Sequence, residues 1–163
     1  MSKLISGLVV LMSLCAHLSC VSQEPAEARV FYLLRHAEKA ENPADPSNPH
    51  LSVTGQVRAA QLAKLLEHEP LTAIYSSDYH RTRETVMLLA QQHGLEILSY
   101  DPRNLEAFAD TLAAMSGRVL IVGHSNTTPT LVGLLGGDPG EPIDDNTEFD
   151  RLYLLEAGPE QPV

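Results

Sequence analysis

The chain has 163 residues, 44% of them apolar, enough for one domain with a sizeable core and too few for two. Its formal net charge of -10 and pI near 5.0 exclude nucleic acid and anionic membrane surfaces as natural partners, because those polyanions are repelled over most of the surface. Both cysteines, Cys15 and Cys20, fall in the first twenty residues, which leaves no internal disulfide for the domain that follows.

Residues 1–20 carry one charge, Lys3, an apolar run over Leu4 to Leu14 and then small residues. That layout is expected of a secretory signal peptide, and the run is too short for a membrane span. Cys20 stands where a lipoprotein signal places its lipidated cysteine, but His17 departs from the aliphatic residue expected there. Cleavage near Ser19 to Ser22 is therefore the first expectation and a lipid anchor at Cys20 the second. Either makes the chain exported, as a periplasmic or secreted protein. Residues 21–29, polar and holding Pro25, read as a linker; 30–157 as the domain; 158–163 as a tail without order.

Val30 to Leu34 is a buried strand that stops at Arg35-His36. Ala40 to His50, with prolines at 43, 46 and 49, cannot be regular structure and reads as a loop, either shaping a site entrance or simply connecting. A helix opens at Thr54-Gly55 and runs to about His68, with Gly55, Ala59, Leu62, Ala63 and Leu66 on one face. Leu71 to Ser76 is the next strand. It turns into a helix through Ser76 to Thr85, where Arg81 and Arg83 sit at a helix start; positive charge there is unfavourable unless an anion is bound.

That helix reaches His93 and stops at Gly94. Leu95 to Tyr100 is a third strand closed by Asp101-Pro102, and Asn104 caps a helix carrying Leu105, Phe108, Leu112 and Met115. Val119 to Val122 has the continuous apolar run of a central parallel strand and ends at Gly123-His124. A helix from Thr128-Pro129 to Leu135, an acidic loop to Asp150 and a last strand over Arg151 to Leu155 complete the domain. Strand and helix alternate, which predicts a three-layer α/β/α fold around a mostly parallel sheet.

Parallel sheets gather the carboxyl ends of their strands along one edge, so Arg35, His36, Arg81 and His124 can meet. Two arginine forks and two imidazoles suit a phosphoryl group: guanidinium complements the oxyanion and a neutral imidazole can attack phosphorus. Ser125 and Asn126, directly after His124, are placed to contact the same substrate.

Four segments in this order, LLRHAEK, LSVTGQVRAAQLA, YSSDYHRTRET and VLIVGHSNTTP, resemble the histidine phosphatase superfamily, also called phosphoglycerate-mutase-like, over most of Val30 to Leu155. The resemblance implies that His36 is a nucleophile forming a phosphohistidine, that Arg35, Arg81 and His124 hold the nonbridging oxygens, and that Arg83 is a rim charge. Ala37 stands where many members have glycine. Neither a metal nor a cofactor is implied, since the histidines show no compact ligand cluster in the sequence and the arginines neutralise the anion. For the general acid, Asp101 comes first, with Glu38 as the alternative and Glu106 further away; each could equally be an ordinary surface carboxylate. The implied function is hydrolysis of a small phosphomonoester. The alternatives are a short phosphohistidine protein phosphatase and a non-catalytic module that holds phosphate or a phosphoester.

Overall fold

The computed structural model describes residues 29–41 and 43–157. The leader at 1–20, the anchor at Cys20, the linker up to residue 28 and the tail at 158–163 lie outside the described residues. Five strands and four helices alternate: β1 (Arg29–Arg35), α1 (Val53–Leu65), β2 (Leu71–Ser77), α2 (His80–His93), β3 (Ile97–Tyr100), α3 (Leu105–Ala113), β4 (Gly117–Gly123), α4 (Thr127–Leu134) and β5 (Leu152–Ala157). The sheet order is β3-β2-β4-β1-β5. The first four strands are parallel, and β5 closes the edge beside β1 antiparallel.

Three layers follow from the side-chain alternation of the central strands. On β1, Val30, Tyr32 and Leu34 pack with α1 and α2 through Ala63, Val86, Leu89 and Ala90. Phe31 and Leu33 face the other way, onto α3 and α4 through Phe108, Leu112, Leu131 and Val132. Both sets are apolar because β1 meets no water on either face.

Element ends differ from the sequence reading for identifiable reasons. Arg29, assigned to the linker, already pairs with Gly117 and Ala157 in the sheet. The cap of α1 is Ser52, whose hydroxyl accepts from the Gly55 amide at 3.0 Å, so the helix begins before Thr54-Gly55. Leu95 is withheld from β3 because its amide returns to the Ala90 carbonyl, part of the turn that left-handed Gly94 allows at the end of α2. Asn104 precedes α3 but makes no side-chain capping bond.

Gly55 brings α1 against the chain leaving β1. A Cβ there would overlap the Glu38 carbonyl oxygen and lie 3.1 Å from the Glu38 amide nitrogen, both backbone atoms that cannot swing away. The same Glu38 carbonyl accepts from the Ser52 amide at 2.9 Å. Gly55→Ala is expected to lower stability by about 1–3 kcal/mol through overpacking, measured by urea denaturation; an unchanged midpoint would contradict this close approach.

Candidate active site

Because β4 lies between β1 and β2, the carboxyl ends of these three strands are neighbours. Arg35 is in register with Gly123, and the His36 amide donates to the Gly123 carbonyl at 3.0 Å. Gly123 must be small, since a Cβ would meet the Tyr100, Thr127 and Thr128 hydroxyl oxygens at 2.8–2.9 Å. Arg81 enters from the first turn of α2, which contains no acidic residue. His36, Arg81, His124, Ser125 and Asn126 line one cleft of about 400 Å³, together with Lys39, Tyr79, Arg103 and Asp145.

His36 is 3% exposed. Its Nδ1 lies 2.7 Å from the Ala37 carbonyl oxygen. A carbonyl only accepts, so Nδ1 carries the proton and Nε2 keeps its lone pair. Burial pushes the imidazole down from its ordinary value to about 3, with the charges of His124, Arg35 and Arg81 acting in the same direction, so His36 is neutral at pH 7. The Ala37 amide donates to Thr85 Oγ1 at 3.0 Å, and that hydroxyl donates to the Arg81 carbonyl at 2.7 Å. Thr85 thereby ties the chain just after His36 to α2, a role the sequence reading missed.

The tautomer of His124 is fixed too. Arg81 Nη2 can only donate, so His124 Nδ1, 3.4 Å away, accepts. Nε2–H then donates to Ser77 Oγ at 2.9 Å, and Ser77 passes its proton toward Thr82 Oγ1 at 3.2 Å. Burial, followed by Arg81 and Arg35, pulls His124 down to about 4. The two imidazoles meet edge-on with ring centroids 5.5 Å apart.

Arg35 is 2% exposed and yet charged. Burial lowers its pKa from the ordinary arginine value, against the pull of Asp145, Asp144 and Glu148. Nη1 donates to the Asp144 and Glu148 carbonyls at 3.1 and 2.9 Å, while Nη2 donates to the Asp145 carbonyl at 2.7 Å and its Oδ1 at 2.6 Å. Phe149 covers the guanidinium, its ring centroid 4.0 Å from the central carbon. Tyr79 plays the same part for Arg81 at 4.5 Å. Two buried donors, Arg35 Nε and Arg81 Nη1, find no acceptor among the described residues. Orphaned, buried guanidinium N–H groups beside two neutral imidazoles are suited to an oxyanion.

Neither carboxylate proposed from sequence as the acid faces this cleft. Asp101 is bound by Arg103 through Nε at 2.9 Å and Nη2 at 3.2 Å, and these bonds lower its pKa, away from that of a proton donor. Glu38 is held by Arg58 in two-pronged bonds of 2.7–3.0 Å, which likewise lower it. Glu106 is exposed on α3. Arg83 contacts Ser99 Oγ at 3.2 Å, outside the cleft lining. Among the described residues, the carboxylate that lines the cleft is Asp145, whose Oδ1 also accepts from Ser125 Oγ at 2.8 Å. The Ser125 bond, then Arg35 and Lys39, depress its pKa. It escaped the sequence reading because nothing in the acidic loop distinguishes one aspartate from the next.

A family model for the histidine phosphatase superfamily (branch 1) matches residues 31–103. The chain is 31% identical over 127 residues to a "Probable phosphoglycerate mutase GpmB" of Photorhabdus laumondii, covering 76% of this chain and 57% of that protein. It is 38% identical over 73 residues to "Phosphoserine phosphatase 1" of Hydrogenobacter thermophilus, covering 42% and 35%. It thus spans about half or less of these curated relatives. Among solved structures, that of the protein histidine phosphatase SixA complexed with tungstate superposes with a TM-score of 0.58 at 17% identity, covering 76% of this chain and 96% of that one.

The Asp145 carboxylate competes for the Arg35 nitrogens that an oxyanion would use. Asp145→Asn is expected to tighten binding of inorganic phosphate by roughly three- to tenfold, the scale of a partly exposed charge pair, as read by isothermal titration calorimetry. Weaker binding would show instead that Asp145 holds Arg35 in its binding position.

Proposed function

Since the chain belongs to the histidine phosphatase superfamily, we propose that it is a phosphatase that transfers a phosphoryl group to His36 Nε2 and then to water. The observation that carries this reading is the lone pair of His36 Nε2, left free by the Nδ1 bond to Ala37 and set beside two buried arginines with unused donors. In the first step the N–P bond forms as the bond from phosphorus to the leaving group breaks. Arg35, Arg81 and His124 surround the charge that the transferring group carries. In the second step water attacks phosphorus, releasing phosphate and regenerating neutral His36. Holding both imidazoles neutral serves the chemistry, because a protonated His36 has no lone pair to offer.

The substrate class follows from the acid. Asp145 is the carboxylate of the cleft, and its depressed pKa leaves it ionised at neutral pH, unable to protonate a leaving oxygen. Substrates whose leaving group departs readily, phosphoramidates such as phosphohistidine or acidic phosphoesters, fit this site better than phosphates of simple alcohols.

Rapid alkaline quench with a labelled, activated phosphoester should trap one phosphoryl group per chain, stable to alkali and labile to acid, and none in His36→Ala. Arg81→Ala should retain a trace of label and lose turnover by about 10²–10³-fold, the cost of removing one oxyanion donor. Absence of any label on the wild-type chain would overturn the nucleophilic reading.

The pH dependence has a defined sign. In the unfolded chain both imidazoles titrate near 6.5, whereas the folded values are about 3 for His36 and about 4 for His124. The unfolded state therefore binds more protons below 6.5, and their contribution to stability, complete above that pH, declines progressively as the pH falls toward the folded values. NMR of the phosphate-free protein should show no imidazole titration of His36 or His124 between pH 8 and 5. A midpoint near 6.5 for either would contradict the buried, neutral pair.

A further inference from the structure

Outside the cleft, the fold brings together three side chains that the sequence keeps apart. His50 ends the proline-rich loop, while His80 and Glu84 lie one turn apart on α2, and one ligand atom from each falls within 4.8 Å of the others. The sequence reading saw no compact cluster among the histidines, because His50 and His80 are separated by α1 and β2. We propose that His50, His80 and Glu84 bind a single late first-row divalent cation of the zinc class, which pins the entrance loop to α2.

The carboxylate is already positioned. Glu84 Oε2 accepts the Leu51 amide at 2.9 Å, and Oε1 contacts His50 Nδ1. On the loop side, Asn48 Oδ1 accepts the His80 amide at 2.8 Å, so loop and helix are registered by two bonds that do not use the imidazoles' own nitrogens. The two rings lie face to face, with centroids 4.1 Å apart and 14° between planes, on a surface where both residues are exposed. Two imidazoles and a carboxylate form the donor set that zinc, cobalt, nickel or copper prefers, whereas magnesium and calcium take mostly oxygen. Donors at 2.0–2.1 Å from a tetrahedral ion stand about 3.3 Å apart. The side chains must turn to reach this, and a His50 side chain 64% exposed has room to do so.

The consequence is local. Arg81 follows His80 directly, so an ion here fixes the loop beside the helix turn that carries a phosphate-binding arginine, without touching the reacting atoms. Zinc and magnesium should be titrated separately into the chelator-treated full chain. The expected result is one zinc per chain, no response to magnesium, and affinity reduced at least about tenfold in His50→Ala and in His80→Ala, the scale on which ligand support is lost. Hydrogen exchange supplies the second readout: zinc should slow exchange in the segment 43–51 of the wild type and not of either variant. Both variants should keep the zinc-free phosphatase rate, since neither residue lines the cleft. Zinc binding that persists undiminished in both variants, or no binding to the wild type, would overturn the site.

Discussion

The burial of Arg35 at the end of a central strand is the constraint around which this domain is built. A guanidinium cannot shed its charge, and one that is 2% exposed must find acceptors or an anion. Three carbonyls and a carboxylate of the segment 144–148 supply the acceptors, Phe149 covers the face, and Nε remains unpaired. The chain between α4 and β5 is thereby drawn back over the sheet edge, and β5 returns antiparallel beside β1. Loop path and edge strand both answer to one cation.

The same burial explains the chemistry of the neighbours. Burial, helped by two arginines that stay charged, holds both histidines neutral, and the neutral histidines in turn accept or direct bonds that a charged ring could not make. His124 can accept a hydrogen bond from Arg81 only while Nδ1 is bare, and it can donate to Ser77 only while Nε2 is protonated. Positive charge is thus concentrated on the guanidinium groups and kept off His36. In a protein of net charge -10, this cleft is a local inversion of sign, suited to an anion that most of the surface repels.

Much of this was legible in the sequence, and the pattern of what was not is informative. Val30 to Leu34 and Val119 to Val122 are apolar runs that end abruptly in Arg35-His36 and Gly123-His124, so a parallel sheet sufficed to bring those residues together. The boundaries that shifted were governed by single hydrogen bonds: Ser52 to Gly55 at the start of α1, and Leu95 to Ala90 at the end of α2. Asp101 sits after a strand end, where a catalytic carboxylate would be sought, but its partner Arg103 is two residues on and turns it aside. Asp145 and the His50–His80–Glu84 group depend on how loops fold back, which no periodicity encodes.

The way Arg35 is satisfied also bears on how such a site can change over generations. Three of its four acceptors are backbone carbonyls, from Asp144, Asp145 and Glu148, and a carbonyl survives any substitution of the side chain it belongs to. These three bonds therefore do not depend on which side chains the segment carries. The loop beside the cleft is free to vary, and the buried His36 behind it need not be reinvented each time.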